Sequence, residues 1–302
     1  MFLIDAHNDT AYRMWLEKEH LFENHLHIDI KKQKGSTALL LFAIFMDPVK
    51  MKEFSTPFAY FEEIYQNFMV ELSKNKDTVE LVTSSRSFPH AKKHLAMLGV
   101  EGGSLIDSLE DVELLFQKKI KVLTLTWNDS NKLAKSAVSG ERGGLSPFGK
   151  QVIFKMNTLG MVADLSHASD ETFFDVLNHT KKPILVSHSN ARALCPHPRN
   201  ITDEMFRALM ENGGVLGINF YPPFLGEGAD ISTIFSHIEH FLQLGGENHL
   251  GFGSDFDGVD CLPCGFSDIT AFSAIQNEMI RRNYPSHLIE KIFSENMKRV
   301  LS

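Results

Sequence analysis

Short runs of aliphatic and β-branched residues recur along the chain, and most are followed by a stretch with helical spacing. Eight such runs are predicted strands: Phe2–Ala6, Ala38–Phe45, His94–Val100, Lys121–Thr126, Met161–Leu165, Pro183–Ser187, Val215–Phe220 and His249–Gly253. Helix signals lie between them. Ser146-Pro147 supplies an N-cap with proline at the first helical position, and Gly160 stands past the end. Ser169 opens Asp170–Asn178, and Thr202 opens Asp203–Asn212, which closes at Gly213. Ile231–Leu244 ends at Gly245-Gly246, and Ser286–Leu301 forms the last helix. The stretch Tyr12–Ser36, rich in His and Glu, reads as a long irregular loop over the mouth of the fold.

Strands alternating with helices imply a parallel sheet. Eight such units predict a (β/α)8 TIM-type barrel, here as one domain over residues 1–302. The competing architecture, a doubly wound open sheet, usually carries a glycine-rich phosphate loop after its first strand. This chain has His7-Asn8-Asp9 there, which suits metals.

Composition narrows the function classes. With 43% hydrophobic and 23% charged residues, the 302-residue chain has the profile of a soluble globular protein with a sizeable core. A net charge of -8 argues against nucleic acid as a partner. The longest basic run, Lys31-Lys32 followed by Lys34, reads as a solvated turn. The longest apolar run, Ala38–Met46, has strand length and cannot span a bilayer. The first residues lack the pattern of a secretory leader and the last lack that of a lipid-anchor tail, so the expectation is a cytoplasmic protein with no membrane partner. The three cysteines, Cys195, Cys261 and Cys264, fit a reducing compartment. Cys261-Leu-Pro-Cys264 lacks both the second pair of a zinc knuckle and the strand–helix context of a redox motif, so no function is assigned to it.

The informative residues stand at the strand ends. After the first strand come His7 and Asp9, and after the third comes Glu101, beside Gly102-Gly103. His167 ends Asp164-Leu-Ser-His167 after the fifth, His188 follows the sixth, and Asp255 follows the eighth. In a (β/α)8 barrel these positions converge on one face. Imidazoles and carboxylates are zinc ligands. Residues i and i+2 of an extended strand share a face, so His7 and Asp9 can reach one metal. Each signal is weak alone; their coincidence predicts a metal centre. The remaining histidines do not join it: no apolar strand precedes His25 and His27, and His90, His94, His179, His237, His240, His249 and His287 read as surface or packing residues.

Together these motifs resemble the renal (membrane) dipeptidase family, a branch of the amidohydrolase-type barrels. The likeness rests on Asp5-Ala-His7-Asn8-Asp9, Glu101-Gly-Gly, Asp164-Leu-Ser-His167, Ser187-His188-Ser189, Arg199-Asn200, Asn219-Phe220-Tyr221 and Gly253-Ser-Asp255-Phe-Asp257-Gly258. It runs in order from His7 to the final helix. The resemblance implies two zinc ions per chain, one held by His7 and Asp9, the other by His167 and His188, with Glu101 bridging both. It implies that Arg199 grips the carboxylate of a dipeptide, with Trp127 and Tyr221 as further substrate-contacting candidates, and it implies a homodimer. Mammalian-type members carry a His where this chain has Trp127, after the fourth strand. An indole N–H donates one hydrogen bond but takes up no proton, so the family's side-chain assistance at the oxyanion and its substrate range do not carry over directly from that position.

The implied chemistry is attack on the peptide carbonyl by a hydroxide shared between two zinc ions. Asp255 serves as general base and then acid. Other readings use the same constellation: hydrolysis of a lactam, a lactone or an N-acyl amino acid, or a non-catalytic barrel that keeps its metals.

Overall fold

A computed structural model describes residues 1–33, 37–84 and 92–302; Lys34, Ser36 and His90 lie outside the described residues. The eight expected strands form, with one short addition: β1 (Leu3–Asn8), β2 (Ala38–Phe45), β3 (Val79–Leu81), β4 (His94–Glu101), β5 (Ile120–Thr124), β6 (Val162–Asp164), β7 (Leu185–Ser189), β8 (Val215–Ile218) and β9 (Leu250–Phe252). The strand order β2-β1-β9-β8-β7-β6-β5-β4 is closed by parallel pairing of β2 with β4, which makes an eight-stranded barrel. The addition, β3, pairs with the first residues of β4 outside that ring, Val79 opposite His94. Three residues are too few to show a period in the sequence.

Helices α1 (Thr10–Glu17), α2 (Pro57–Lys74), α3 (Leu109–Gln117), α4 (Pro147–Leu159), α5 (Asp170–His179), α6 (Asp203–Asn212), α7 (Pro222–Leu225), α8 (Ile231–Gln243) and α9 (Ala271–Arg281) follow in order. The chain ends with α10 (Ser286–Glu290), a π-helical turn at Lys291–Glu295 and α11 (Asn296–Val300). The caps act as the sequence predicts: Ser146, Ser169 and Thr202 each accept a backbone N–H of their helix's first turn. Gly160 and Gly213 close α4 and α6 with positive φ. One expectation is corrected. Tyr12–Ser36 is not loop throughout, because its first residues form α1, with Ala11, Tyr12 and Met14 buried against the barrel. The i, i+3, i+4 spacing of Ala11, Met14 and Trp15 was a readable helix signal. Among the described residues no helix is long and apolar enough to cross a membrane.

Side-chain parity divides the apolar residues into two clusters. Leu40, Phe42, Ile44, Ala96, Leu98 and Val100 face the helices. Their neighbours Ile4, Ala6, Leu39, Leu41, Leu95, Met97, Val122, Val162, Leu185 and Val215 fill the barrel and pack on Met297, Val300 and Leu301 of the C-terminal segment. Glycines admit close backbone approach where the barrel narrows. A Cβ at Gly217 would lie 1.9 Å from the Ser187 carbonyl oxygen and 2.9 Å from the Gly253 nitrogen. Because those are backbone atoms, no rotamer change relieves the clash. Gly217→Ala is therefore expected to cost about 1–3 kcal/mol or more, as overpacked cores do. A chemical-denaturation midpoint equal to the parent's would show that the strands can separate here at no cost.

Candidate metal centre

Most polar groups at the barrel mouth are aimed by a local departure from regular backbone, whereas Glu101 faces inward by the same alternation as Leu95 and Met97. In a regular strand Ala6 and His7 would face opposite sides. The pairing of β1 with β2 slips between Asp5 and Asn8, and the slip brings His7 to the mouth above Ile4 and Ala6. The pairing of β7 with β8 slips in the same way between Val186 and Ser189, around His188. Such irregularities re-aim side chains beside functional sites. His167 and Asp255 take left-handed backbone, with φ of 72° and 62°. That region is costly for a residue with a Cβ and is held only where the surroundings enforce it. His7, Glu101 and His188 belong to the last residues of their strands and do not follow them. Asp9 is the N-cap of α1, with φ of -99° and ψ of 15°, so it reaches His7 from a turn and not along an extended strand as the sequence suggests.

The five candidate ligands converge. His7 Nε2 lies 3.3 Å from Asp9 Oδ2 and 3.7 Å from Glu101 Oε1. His167 Nε2 lies 2.9 Å from the same Glu101 oxygen and 3.1 Å from His188 Nε2, which is itself 3.5 Å from Glu101. Two triads result, His7/Asp9/Glu101 and Glu101/His167/His188, with ligand atoms within 4.8 Å of one another. A third, His7/His188/Asp255, meets the same criterion, so Asp255 also lies within reach of a metal held here.

The set fits a metal, because two of its atoms lack any hydrogen-bond partner among the described residues. His7 Nε2 and Asp9 Oδ1 are buried and make no hydrogen bond among the described residues. Buried polar atoms without partners are rare and costly, and a cation satisfies several acceptors at once. Protonation responds to the crowding. Burial alone would lower the His7 imidazole, but Glu101, Asp9 and Asp255 outweigh it and raise it to about 10. Burial holds Glu101 well above the ordinary carboxylate range, with His7 opposing it. Burial pushes His167 and His188 well below the usual histidine range, helped by Arg199 at His167 and by His7 at His188.

A surrounding layer fixes the rings. Ser187 Oγ donates to Asp164 Oδ2 at 2.6 Å and lies 2.8 Å from His188 Nδ1. With its proton committed to Asp164, the Ser187 hydroxyl accepts from His188 Nδ1–H, which leaves the Nε2 lone pair facing the centre. Asp164 is saturated: it also accepts from Thr124 Oγ1 and from the backbone N–H groups of Ser166 and Ser187. His167 Nδ1 meets Asn128 Oδ1 at 3.0 Å. Asp257, which the sequence offered only as part of a motif, receives Thr10 Oγ1 at 2.5 Å and the His27 N–H at 2.6 Å, and its own N–H donates to His27 Nδ1. This clasp ties the His27 loop to the loop after β9, a role no strand-end rule reveals. Gly258 is required beside it, because a Cβ there would lie 2.1 Å from Asp9 Oδ2.

The centre opens into a cavity of about 370 Å³ lined by Asp9, Glu101, His167 and Asp255 together with Arg199, Trp127, Asn128 and Tyr221. That volume suits a small-molecule ligand. Arg199 is 4% exposed. Its Nε and Nη2 find no acceptor among the described residues, and the guanidinium stacks over Phe224. Burial lowers it to about 10, against Asp255, Glu101 and Asp164. Asp255 accepts from Asn219 Nδ2 at 2.9 Å through Oδ2, and burial raises its carboxyl. Trp127 is half-buried against Phe45. Burial and Asp260 raise the Tyr221 phenol. Cys195 is half-buried, and Cys261 and Cys264 are exposed free thiols. His237 is a packing residue, wholly buried between the Ala191 N–H and the Leu225 carbonyl.

Comparison with known proteins agrees with this geometry. The sequence profile of the membrane dipeptidase family, peptidase family M19, matches residues 1–302. An uncharacterized dipeptidase of Schizosaccharomyces pombe is 33% identical over 99% of this chain and 79% of its own length. A second from the same organism is 34% identical over 70% of this chain, a match spanning about half (54%) of that protein. Two solved structures superpose with a TM-score of 0.90 over 100% of this chain and 98% of theirs. One is a family M19 metallopeptidase, dipeptidase AC, at 24% identity. The other, at 23%, is a metallopeptidase from Rhodobacter sphaeroides liganded with a phosphinate mimic of the dipeptide L-Ala-D-Ala. At those identities the structures establish the fold.

The Asp164–Ser187–His188 chain gives a direct test. Asp164→Asn puts an amide donor against the Thr124 and Ser187 hydroxyls and reverses the polarity that sets the His188 tautomer. Metal affinity is expected to fall about 10- to 100-fold, as for lost partners of ligating histidines. Titration calorimetry of the stripped protein measures it, and unchanged affinity would remove the chain from that role.

Proposed function

The chain belongs to the membrane dipeptidase family of metal-dependent peptide hydrolases, and from that premise we propose that it is a zinc dipeptidase, with two ions per chain sharing Glu101. His7 and Asp9 would hold one ion, and His167 and His188 the other. The proposal extends to one barrel domain over residues 1–302, acting as a cytoplasmic homodimer. When bound, such a pair supplies Lewis acidity, lowering the pKa of water and polarising a carbonyl.

The observation that carries the reading is Arg199. A buried guanidinium whose Nε and Nη2 have no acceptor among the described residues is an expensive arrangement for structure alone. The fork matches a carboxylate, and it opens into the same cavity as the metal cluster. A free carboxylate held there sets the reacting amide a short, fixed distance away, which selects dipeptides over longer chains. An N-acyl amino acid would also satisfy the fork, so a panel of dipeptides, N-acyl amino acids and lactams decides the bond cleaved. The L-Ala-D-Ala mimic bound by the Rhodobacter relative makes D-residues at the C-terminal position a natural arm of that panel. Asp255 is the proton carrier in this reading. Asn219 fixes its Oδ2, while Oδ1 faces the centre, 3.9 Å from His7 Nε2. Its raised carboxyl suits a group that takes a proton from the attacking water and returns it to the leaving amine.

Two measurements test these roles. Arg199→Lys is expected to lower kcat/KM for dipeptides about 10- to 100-fold, the worth of a charge-assisted hydrogen bond. C-terminally amidated dipeptides should be poor substrates of the parent, and equal rates on acid and amide would remove Arg199 from carboxylate binding. Asp255→Asn preserves shape without a proton acceptor, so kcat should fall about 10²–10⁴-fold at near-normal zinc content. Loss of zinc together with activity would instead make Asp255 a ligand, and an unchanged kcat at full zinc would sink the mechanism.

A further inference from the structure

The cavity has two unlike ends. At one stand Arg199 and Phe224, in the segments that follow β7 and β8. At the other stand three aromatic rings: Tyr12 on α1, Phe45 at the end of β2 and Trp127 in the segment after β5. Strand order sets these ends apart. In the closed ring β1-β2-β4-β5-β6-β7-β8-β9, β2 lies four strands from β7 in either direction, and β4 lies four strands from β8. Tyr12 and Trp127 flank the β2/β4 side, so the three rings stand across the mouth from Arg199. The ligand cluster, gathered from the ends of β1, β4, β6 and β7, lies between.

The aromatic wall begins beside the cluster itself. Phe45 is the register partner of Glu101 in the parallel β2–β4 ladder. Partners in register point to the same face of a sheet, so Phe45 stands next to the shared carboxylate on the inner side of the barrel. Tyr12 meets Phe45 edge-on with centroids 5.3 Å apart, and Trp127 meets it at 4.9 Å. The His167 ring follows Trp127 at 6.3 Å. The Tyr12 hydroxyl donates to Asp47 at 3.0 Å, which occupies its proton and fixes the ring. Phe45 and Trp127 are half-buried, so apolar surface of both remains open to the cavity. Arg13 borders this end, but Glu17 accepts its Nε–H at 2.6 Å and answers its charge.

We propose that this wall is the subsite for the side chain on the N-terminal side of the scissile bond, and that it selects large apolar residues, aromatic ones above all. Trp127 and Phe45 are its specificity-determining residues. The assignment rests on the dipeptidase reading above: a carboxylate on Arg199 and a carbonyl at the metal cluster fix two points of the substrate. What lies beyond the carbonyl then continues away from Arg199, towards β2 and β4. An aromatic or branched side chain laid against these rings leaves water and packs edge to face, whereas glycine leaves the wall wet. A lysine ammonium is also attracted by ring faces, but it must first shed tightly held water.

Kinetics on Gly-Ala, Leu-Ala, Phe-Ala and Lys-Ala read the preference. The kcat/KM for Phe-Ala and Leu-Ala should exceed that for Gly-Ala about 10- to 100-fold, with Lys-Ala below both. Trp127→Ala and Phe45→Ala should each lower the ratio of Phe-Ala to Gly-Ala about 10-fold, and Trp127→Phe should restore most of it. A merely structural role would lower all four substrates alike and leave the ratio unchanged. Calorimetry with a pair of phosphinate dipeptide mimics, glycyl and phenylalanyl at the N-terminal position, reads the same ratio without turnover. Equal affinity of the parent for the pair overturns the subsite, and so does a preference for Lys-Ala. Parental ratios in both alanine variants, at parental melting temperature, overturn the roles of Trp127 and Phe45. A parent that cleaves another amide and no dipeptide overturns the dipeptidase reading, and the phosphinate pair still decides the wall.

Discussion

Five lone-pair donors share a space a few ångströms across: three imidazole nitrogens and the carboxylates of Asp9 and Glu101. Nearly all are sealed from water, and His7 Nε2 and Asp9 Oδ1 have no hydrogen-bond partner among the described residues. Left to themselves such groups repel, and burying them is costly. Shared cations, as proposed, would turn the same crowding into coordination. Much of the surrounding architecture makes sense as what is needed to hold these atoms against that repulsion.

The backbone meets the demand with local irregularity on a regular frame. A parallel barrel offers one inward residue in two, which cannot place His7 beside Ala6 or His188 beside Ser187 on the same face. Slips in pairing on β1 and β7 make that possible, and left-handed backbone at His167 and Asp255 does comparable work after β6 and β9. Below them, Asp164 gathers hydroxyl and amide donors from β5, β7 and Ser166 just after β6, and passes an orientation on to His188 through Ser187. Asp5 plays a similar part across β1 and β9. It accepts both the N–H and the hydroxyl of Ser254 at 2.7 Å, and burial still raises its carboxyl to about 7.

The cavity inherits its selectivity from the same constraint. The carboxylates gathered at the mouth would repel an anionic substrate, and Arg199 provides the compensating charge within the wall. Among the described residues its Nε and Nη2 find no acceptor, the guanidinium lies over Phe224, and Asp255 and Glu101 are close enough to hold it charged. In the proposed mechanism, recognition and proton transfer would thereby be coupled electrostatically. A change at Arg199 alters the surroundings of Asp255, and single substitutions there should not be read as independent.

The amino-acid sequence by itself determined the barrel and the identity of the residues at its mouth. Both are written in short-range terms: eight apolar runs with capped helices between them, and His7, Asp9, Glu101, His167, His188 and Asp255 at the run ends. Closure then brings strand ends together whatever their separation in the chain. The irregularities were not legible, because a slip in pairing belongs to two strands and leaves no period in either. The clasp of His27 on Asp257 joins residues 230 positions apart. The burial of Arg199 depends on α7 and Phe224, which its own neighbours in sequence do not announce. Nothing in the sequence around Asn128 marks it out, and only the fold brings His167 Nδ1 to 3.0 Å from its amide oxygen. Sequence specifies which groups are available, whereas only the tertiary structure decides which lone pair faces which proton. That choice depends on distances of about 3 Å between segments remote in the chain.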